Sequence, residues 1–264
     1  MKYVLVTGAF GGMGKAVVNL LVKKGFKVIA IDKNVEPSTE NIISIKTDLT
    51  SSSDVDNAFL TVKNVVNDKI FAIIHLAGTY TLNSLVEMDE EEFVKTFNVN
   101  LFSVFRVNKT FLPLLQDKGR IIITTSELAP LSPLPFTGLY AVSKKALDAY
   151  AYSLAMELQL LNVKVSVLRP GAVKTDMLNV STKKLNDFCE NTKLYSCNAR
   201  RFKKIVDGVE SKHVSAEILA KKIGKIIDCK RPKLIYKLNR NPLLIIFNRL
   251  PKKLQLRIIK KILS

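Results

Sequence analysis

Tyr140 and Lys144 stand four residues apart in the stretch Tyr140-Ala-Val-Ser-Lys144. On a helix that spacing puts both side chains on one face, one turn apart. A phenol ordinarily titrates at about 10 and is a poor base near neutral pH, whereas a close positive charge favours its ionised form. The pair is therefore a candidate proton-transfer device, in which the Lys144 ammonium is expected to draw the phenol's pKa down. A Tyr and a Lys at helical spacing carry little weight alone. The chain upstream supplies the rest.

That chain opens on Lys2-Tyr-Val-Leu-Val6, an apolar run that reads as a buried strand. It runs into Thr7-Gly-Ala-Phe-Gly-Gly-Met-Gly14 and then a helical pattern with Ala16, Val17, Leu20 and Leu21 on its apolar face and Gly25 as its stop. A second strand from Lys27 ends at Asp32. Glycines at such a turn let the backbone approach a pyrophosphate, and the helix start offers free N–H groups and the positive end of its dipole. Asp32 lies 18 positions after Gly14, near the spacing of an acid that grips the adenosine ribose. A carboxylate accepts hydrogen bonds from ribose hydroxyls and repels a 2′-phosphate. It therefore argues for NAD over NADP, with Lys33 beside it pulling the other way.

The glycine spacing is Thr-Gly-x-x-x-Gly-x-Gly, and with Tyr140-x-x-x-Lys144 downstream the chain resembles the short-chain dehydrogenase/reductase family in its single-domain branch. The resemblance runs from Lys2 to about Thr175 and more loosely to about residue 230. It implies an adenine-contacting pair at Asp48-Leu49 and a cofactor segment at Ala77-Gly78, where His75 replaces the usual Asn. It also implies an active-site Asn at Asn100, a Ser at Ser126, and a nicotinamide cradle at Arg169-Pro-Gly-Ala-Val-Lys-Thr175. Ser126 precedes Tyr140 by 14 positions, one more than is common in the family, and the loop holding Pro130, Pro133 and Pro135 can absorb the extra residue.

By that resemblance the catalytic set is Asn100, Ser126, Tyr140 and Lys144. The cofactor contacts are Gly8, Phe10, Gly12, Met13, Gly14, Asp32, Asp48, Leu49, Ala77, Gly78, Tyr140, Lys144, Pro170, Gly171, Val173 and Thr175. The implied activity is reversible hydride transfer between NAD(H) and an alcohol or carbonyl carbon. Tyr140 would serve as acid/base, Lys144 on the nicotinamide ribose, Ser126 on the substrate oxygen and Asn100 on a relay water. The competing readings are a non-catalytic nucleotide sensor or scaffold and a membrane-surface module on the same fold. The joint presence of the four catalytic types argues against a sensor.

Elements able to position these residues follow from the pattern. Strands are expected at 2–7, 27–32, 42–46, 70–76, 119–125, 163–168 and 233–237, alternating with helices. The expected fold is α/β, a doubly wound parallel sheet in one domain, which 264 residues accommodate. Residues 1–238 would form that domain, with 176–213 as a substrate lid carrying Met177, Leu178, Leu185, Phe188, Leu194 and Tyr195, and 239–264 as a tail. The lid suits an apolar, lipid-, retinoid- or steroid-like alcohol. The first strand begins at the N-terminus, without the pattern of a secretory signal, and Cys189, Cys197 and Cys229 are odd in number, so a cytoplasmic protein with reduced thiols is expected. His75 and His213 are too few and too far apart for a metal site. The Phe93 to Leu115 and Tyr140 to Leu160 helices are those through which the family pairs, so a homodimer or homotetramer is expected, with Phe93, Phe97, Phe102 and Phe105 as helix core or subunit contact.

Residues 200–264 carry 19 basic against 4 acidic residues, most of the chain's formal charge of +18. In the last segment Leu254, Ile258, Ile259, Ile262 and Leu263 share a helical face, with Lys253, Arg257, Lys260 and Lys261 largely opposite. That is the pattern of a helix lying on an anionic membrane surface, and equally of one packed on its own domain or a neighbouring subunit. No aromatic stacking platform accompanies the charge, so nucleic acid is not an expected partner.

Overall fold

The computed structural model describes residues 2–66, 69–210 and 212–264, with only the backbone described at 176–181 and 209–210. Seven strands form one parallel sheet: β1 Tyr3–Thr7, β2 Lys27–Asp32, β3 Ile42–Lys46, β4 Ile70–His75, β5 Leu115–Thr124, β6 Lys164–Pro170 and β7 Ile235–Leu238. Their spatial order is β3-β2-β1-β4-β5-β6-β7. The order reverses between β1 and β4, which opens a crevice at the carboxyl ends of those two strands. β1 and β4 are apolar runs because the sheet is covered on both faces. Successive side chains alternate between two cores. Leu5, Ile29, Ile73 and Ile121 meet α2 (Ser52–Val65), α4 (Ser103–Phe111) and α5 (Gly138–Leu158), while Val4, Val28, Ile74 and Ile122 meet α1 (Gly12–Lys23) and α8 (Ala216–Asp228).

α1 stops where Gly25 was expected to stop it. Gly25 takes φ 82°, its N–H bonds the Val22 carbonyl, and the Phe26 N–H reaches back to Leu21. β5 departs most from expectation. Leu115 pairs with Ile70 and Arg120 with Ala72, so the residues between them bulge out of the ladder before the regular strand begins. The stretch expected as one long helix from Phe93 is also interrupted. α3 (Glu90–Phe97) passes into a π-helical turn at Asn98–Phe102 before α4 resumes. Inserting that turn rotates Asn100 inward, where it is fully buried.

Past β6, α6 (Asp176–Asn191) and α7 (Ser196–Glu210) pack on each other. α9 (Pro242–Arg249) and α10 (Lys252–Leu263) follow β7 and pack back on the molecule. Leu263 and Ile259 join a third apolar cluster with Phe202, Phe136 and Phe188. Asn198 Nδ2 donates to the Leu263 carbonyl at 2.6 Å, and Lys252 bonds the Ser132 hydroxyl. Among the described residues no helix is long and apolar enough to cross a membrane.

Candidate active site

The crevice between β1 and β4 is a cavity of about 650 Å³, and Gly8, Gly11, Gly12, Gly14 and Gly78 form part of its wall. Gly8 sits at φ 67°, a left-handed conformation, and a Cβ there would lie 2.6 Å from the Ala77 nitrogen. A Cβ at Gly14 would run into the Gly8 carbonyl oxygen. The cradle therefore exists only because these positions lack side chains. The first turn of α1 has no acidic side chain and no side-chain cap on Gly11, so its amides and dipole remain available to an anion. Gly12, Phe10 and Met13 line the same wall.

Asp32 closes the far end. Its carboxylate accepts from the Phe10 N–H at 3.0 Å and the Asn34 N–H at 3.2 Å, which fixes it at the crevice rim with lone pairs to spare. Asp48 and Leu49 stand on the same rim. Hydrogen bonds from the Thr50 hydroxyl and N–H hold the Asp48 carboxyl below its ordinary range. These groups fit a dinucleotide: a bare amide cradle for pyrophosphate and carboxylates at the ribose end.

A second cavity of about 190 Å³ adjoins the first, and Met13, Gly78, Thr79 and Thr175 line both. Tyr140, Lys144 and Ser126 line it from α5 and the end of β5. The i, i+4 spacing does bring Tyr140 and Lys144 to one helical face, with the Lys144 Nζ 5.9 Å from the ring centroid. Ser126 hydrogen-bonds the phenol, and the Tyr80 ring meets Tyr140 edge-on at 4.6 Å. The Lys144 ammonium bonds the Thr124 carbonyl at 3.3 Å. Pro170, Gly171 and Val173 lie along the same cavity.

The electrostatics differ from expectation. Burial pushes the Tyr140 phenol up to about 12, the Ser126 hydrogen bond offsets this in part, and the Glu127 charge adds to it. The Lys144 ammonium does not bond the phenol, and burial lowers its own pKa to about 8. Desolvation thus dominates, and the phenol is held as O–H.

Asn100 lines neither cavity. Its Oδ1 accepts from the Thr79 N–H at 2.8 Å, and its Nδ2 donates to the Thr79 carbonyl and the Ser143 hydroxyl, each at 3.0 Å. Both amide hydrogens are therefore engaged by protein. The side chain ties the loop after β4 to α5, beside Gly78 and Lys144.

The lid is also built differently. Leu185 and Phe188 are buried against Phe136 in the third apolar cluster and do not line the cavity, Leu194 is exposed, and Tyr195 packs edge-on to Phe136. The Met177 and Leu178 side chains lie outside the described residues. The apolar wall comes instead from Phe202, Ile205 and Val206 on α7 and Leu244 on α9. Glu127, next to Ser126, lines it too, and the sequence signalled it only as an acid in an apolar strand-end loop.

Comparison with known proteins agrees with this geometry. The short chain dehydrogenase family model matches residues 2–186. This chain belongs to the short-chain dehydrogenase/reductase family. It is 30% identical over 224 residues to the probable short-chain type dehydrogenase/reductase VdlC of Helicobacter pylori, covering 83% of this chain and 81% of that one. It is 32% identical over 180 residues to the NADPH-dependent 1-acyldihydroxyacetone phosphate reductase of Schizosaccharomyces pombe, spanning 66% of this chain and 60% of that one. A short chain dehydrogenase family protein from Francisella tularensis superposes with a TM-score of 0.74 at 26% identity, covering 90% of this chain and 96% of that one. As a member of this family the chain is an oxidoreductase that uses a nicotinamide cofactor.

Proposed function

We propose that this chain is an NAD(H)-dependent carbonyl reductase or alcohol dehydrogenase acting on an apolar substrate. The observation that carries this is that Tyr140, Ser126 and Lys144 line an apolar cavity that shares Met13, Gly78, Thr79 and Thr175 with the glycine-lined crevice. Gly8 to Gly14 and the start of α1 would hold the pyrophosphate, Asp32 the adenosine ribose, and Gly78, Pro170, Gly171, Val173 and Thr175 the nicotinamide end. Asp48, Leu49 and Ala77 would complete the adenine side. The bound nicotinamide supplies or accepts hydride.

The chain's own groups do the rest. Tyr140, kept protonated by burial, delivers its Oη proton to the substrate oxygen as the carbonyl carbon is reduced. Ser126 donates a hydrogen bond to that oxygen and stabilises the charge that develops there. Lys144, still an ammonium at neutral pH, grips the nicotinamide ribose. Asn100 positions Thr79 and α5 through its three hydrogen bonds, and the remaining lone pair of its Oδ1 is what it can offer a relay water. NAD preference rests on the Asp32 carboxylate at the crevice rim. Screening alcohols and ketones with NAD(H) and NADP(H) by nicotinamide absorbance checks the reading. Turnover of apolar ketones with NADH preferred supports it. Nucleotide binding without turnover of any of them would favour a sensor.

Two surfaces extend the proposal. Phe102, Phe105, Val142, Tyr152 and Met156 are exposed on α4, α5 and the π turn, and a second copy of the chain pairing there would cover them. Leu243, Ile246, Leu256 and Ile262 are exposed on α9 and α10 among Arg249, Lys253, Lys260 and Lys261, a pattern that suits an anionic bilayer. A monomer by light scattering would refute the first. Full recovery in the supernatant beside anionic vesicles would refute the second.

A further inference from the structure

Glu127 is a carboxylic acid in an unexpected place. It follows Ser126 directly, is 7% exposed, and is the one acid lining the cavity beyond Tyr140 among the described residues. Its surroundings explain how it is held. The Glu127 N–H bonds the Pro170 carbonyl at 2.7 Å. Oε2 accepts the Asn241 N–H at 2.7 Å, which brings the start of α9 to the site. Gly171 makes room for the other oxygen, since a Cβ there would lie 2.9 Å from Oε1 and would strike the Asn239 carbonyl.

Oε1 has no hydrogen-bond partner among the described residues, and it is not sealed from the cavity. Leu128, Leu134, Val173 and Val206 line the same cavity. A mostly buried carboxylate with a protein donor on only one oxygen is costly until water or a ligand meets the other. The cost shows in the acid's own titration, which burial raises against the opposing pull of the Asn241 N–H and Arg240.

We propose that Glu127 fixes the substrate's second polar group, its Oε1 accepting a hydrogen bond from a hydroxyl or ammonium beside the reacting carbon. Ser126 and Tyr140 would hold the reacting oxygen, and Glu127 lines the same cavity, close enough for its charge to act on the Tyr140 phenol. The substrate class is then an α-hydroxy or α-amino ketone, or the corresponding diol or amino alcohol, on an apolar body. A carboxylate or phosphate at that position would be repelled. The inference rests on the oxidoreductase reading above and narrows it.

The test compares kcat/KM for acetophenone, α-hydroxyacetophenone and α-aminoacetophenone with NADH and NADPH. The wild type should favour at least one donor-bearing ketone over acetophenone by about tenfold or more. Glu127→Leu should bring that ratio near one. Glu127→Gln keeps an oxygen for the Asn241 N–H and so maintains the loop. In it a hydroxyl advantage should fall severalfold and an ammonium advantage should vanish, and the ketone favoured by the wild type names the donor. Equal kcat/KM for the three ketones in the wild type, or an advantage that survives Glu127→Gln at full size, overturns the inference alone. No turnover of any of them with either nicotinamide overturns the proposed carbonyl reductase activity on apolar substrates and this inference with it.

Discussion

The crevice between β1 and β4 and the cavity beyond Tyr140 share a wall but are made of different material. The glycine turn, helix start and strand-end carboxylate that open the crevice all lie within the first 32 residues, and Asp48, Leu49, Ala77 and Gly78 extend its lining. The cavity is side chain, drawn from the end of β5, from α5, from α7 and from α9, which the sequence separates by more than a hundred positions. The family model, which matches residues 2–186, covers the whole of the first and leaves out Phe202, Val206 and Leu244 of the second. A backbone site changes little while the glycines stay. A side-chain site can be re-lined for a new substrate without disturbing the nucleotide.

The largest expected effect separates the two regions cleanly. Tyr140→Phe should lower kcat by about a hundredfold to ten-thousandfold while leaving NADH affinity near the wild-type value, as read by turnover and by nucleotide titration on the same sample. Next, Gly14→Ala should damage the crevice itself. The new methyl meets the Gly8 carbonyl, so stability should drop by on the order of 3 kcal/mol, roughly 5–10 °C in melting temperature, with nucleotide binding lost. A variant that melts and binds like the wild type would show that the crevice is not backbone-limited.

A smaller effect sits under the shared wall. His75 is buried at the end of β4, its Nε2 bonding Asn108 Oδ1 at 2.8 Å, and burial lowers its pKa from 6.5 to about 4. Between those values the unfolded chain binds the proton and the folded chain does not, so stability rises with pH across this window and is lost as pH falls through it. The loss attributable to His75 should be on the order of 2 kcal/mol by about pH 5. In His75→Asn that part of the acid-side slope should disappear from denaturant titrations, and an unchanged slope would contradict it. The smallest effect is on cofactor choice. Asp32→Asn keeps an acceptor oxygen but drops the charge, and the ratio of NAD to NADP use should fall by about tenfold.

What could be read from the sequence follows the same division. Gly8, Gly14 and Asp32 were legible because turn, helix start and strand end are local and their order is specific. Tyr140 and Lys144 were legible because helical spacing fixes their common face. The orientation of Asn100 was not, since it depends on a π-helical turn that an i, i+4 pattern does not announce. Nor was the titration of Tyr140, because adjacency to Lys144 can be counted along a chain whereas desolvation depends on everything folded around the ring. Phe202 and Leu244 reach the cavity only through tertiary packing, and so the lid reading placed its apolar contacts on Leu185 and Phe188, which face Phe136.

A crystal structure of the wild-type protein with NADH bears most directly on the joining of the two regions. The account predicts the adenosine ribose on Asp32, the pyrophosphate on the amides after Gly8, and the nicotinamide ribose within hydrogen-bond reach of Lys144 and Tyr140. A dinucleotide bound outside the crevice, or one whose nicotinamide end lies away from Tyr140, would contradict it.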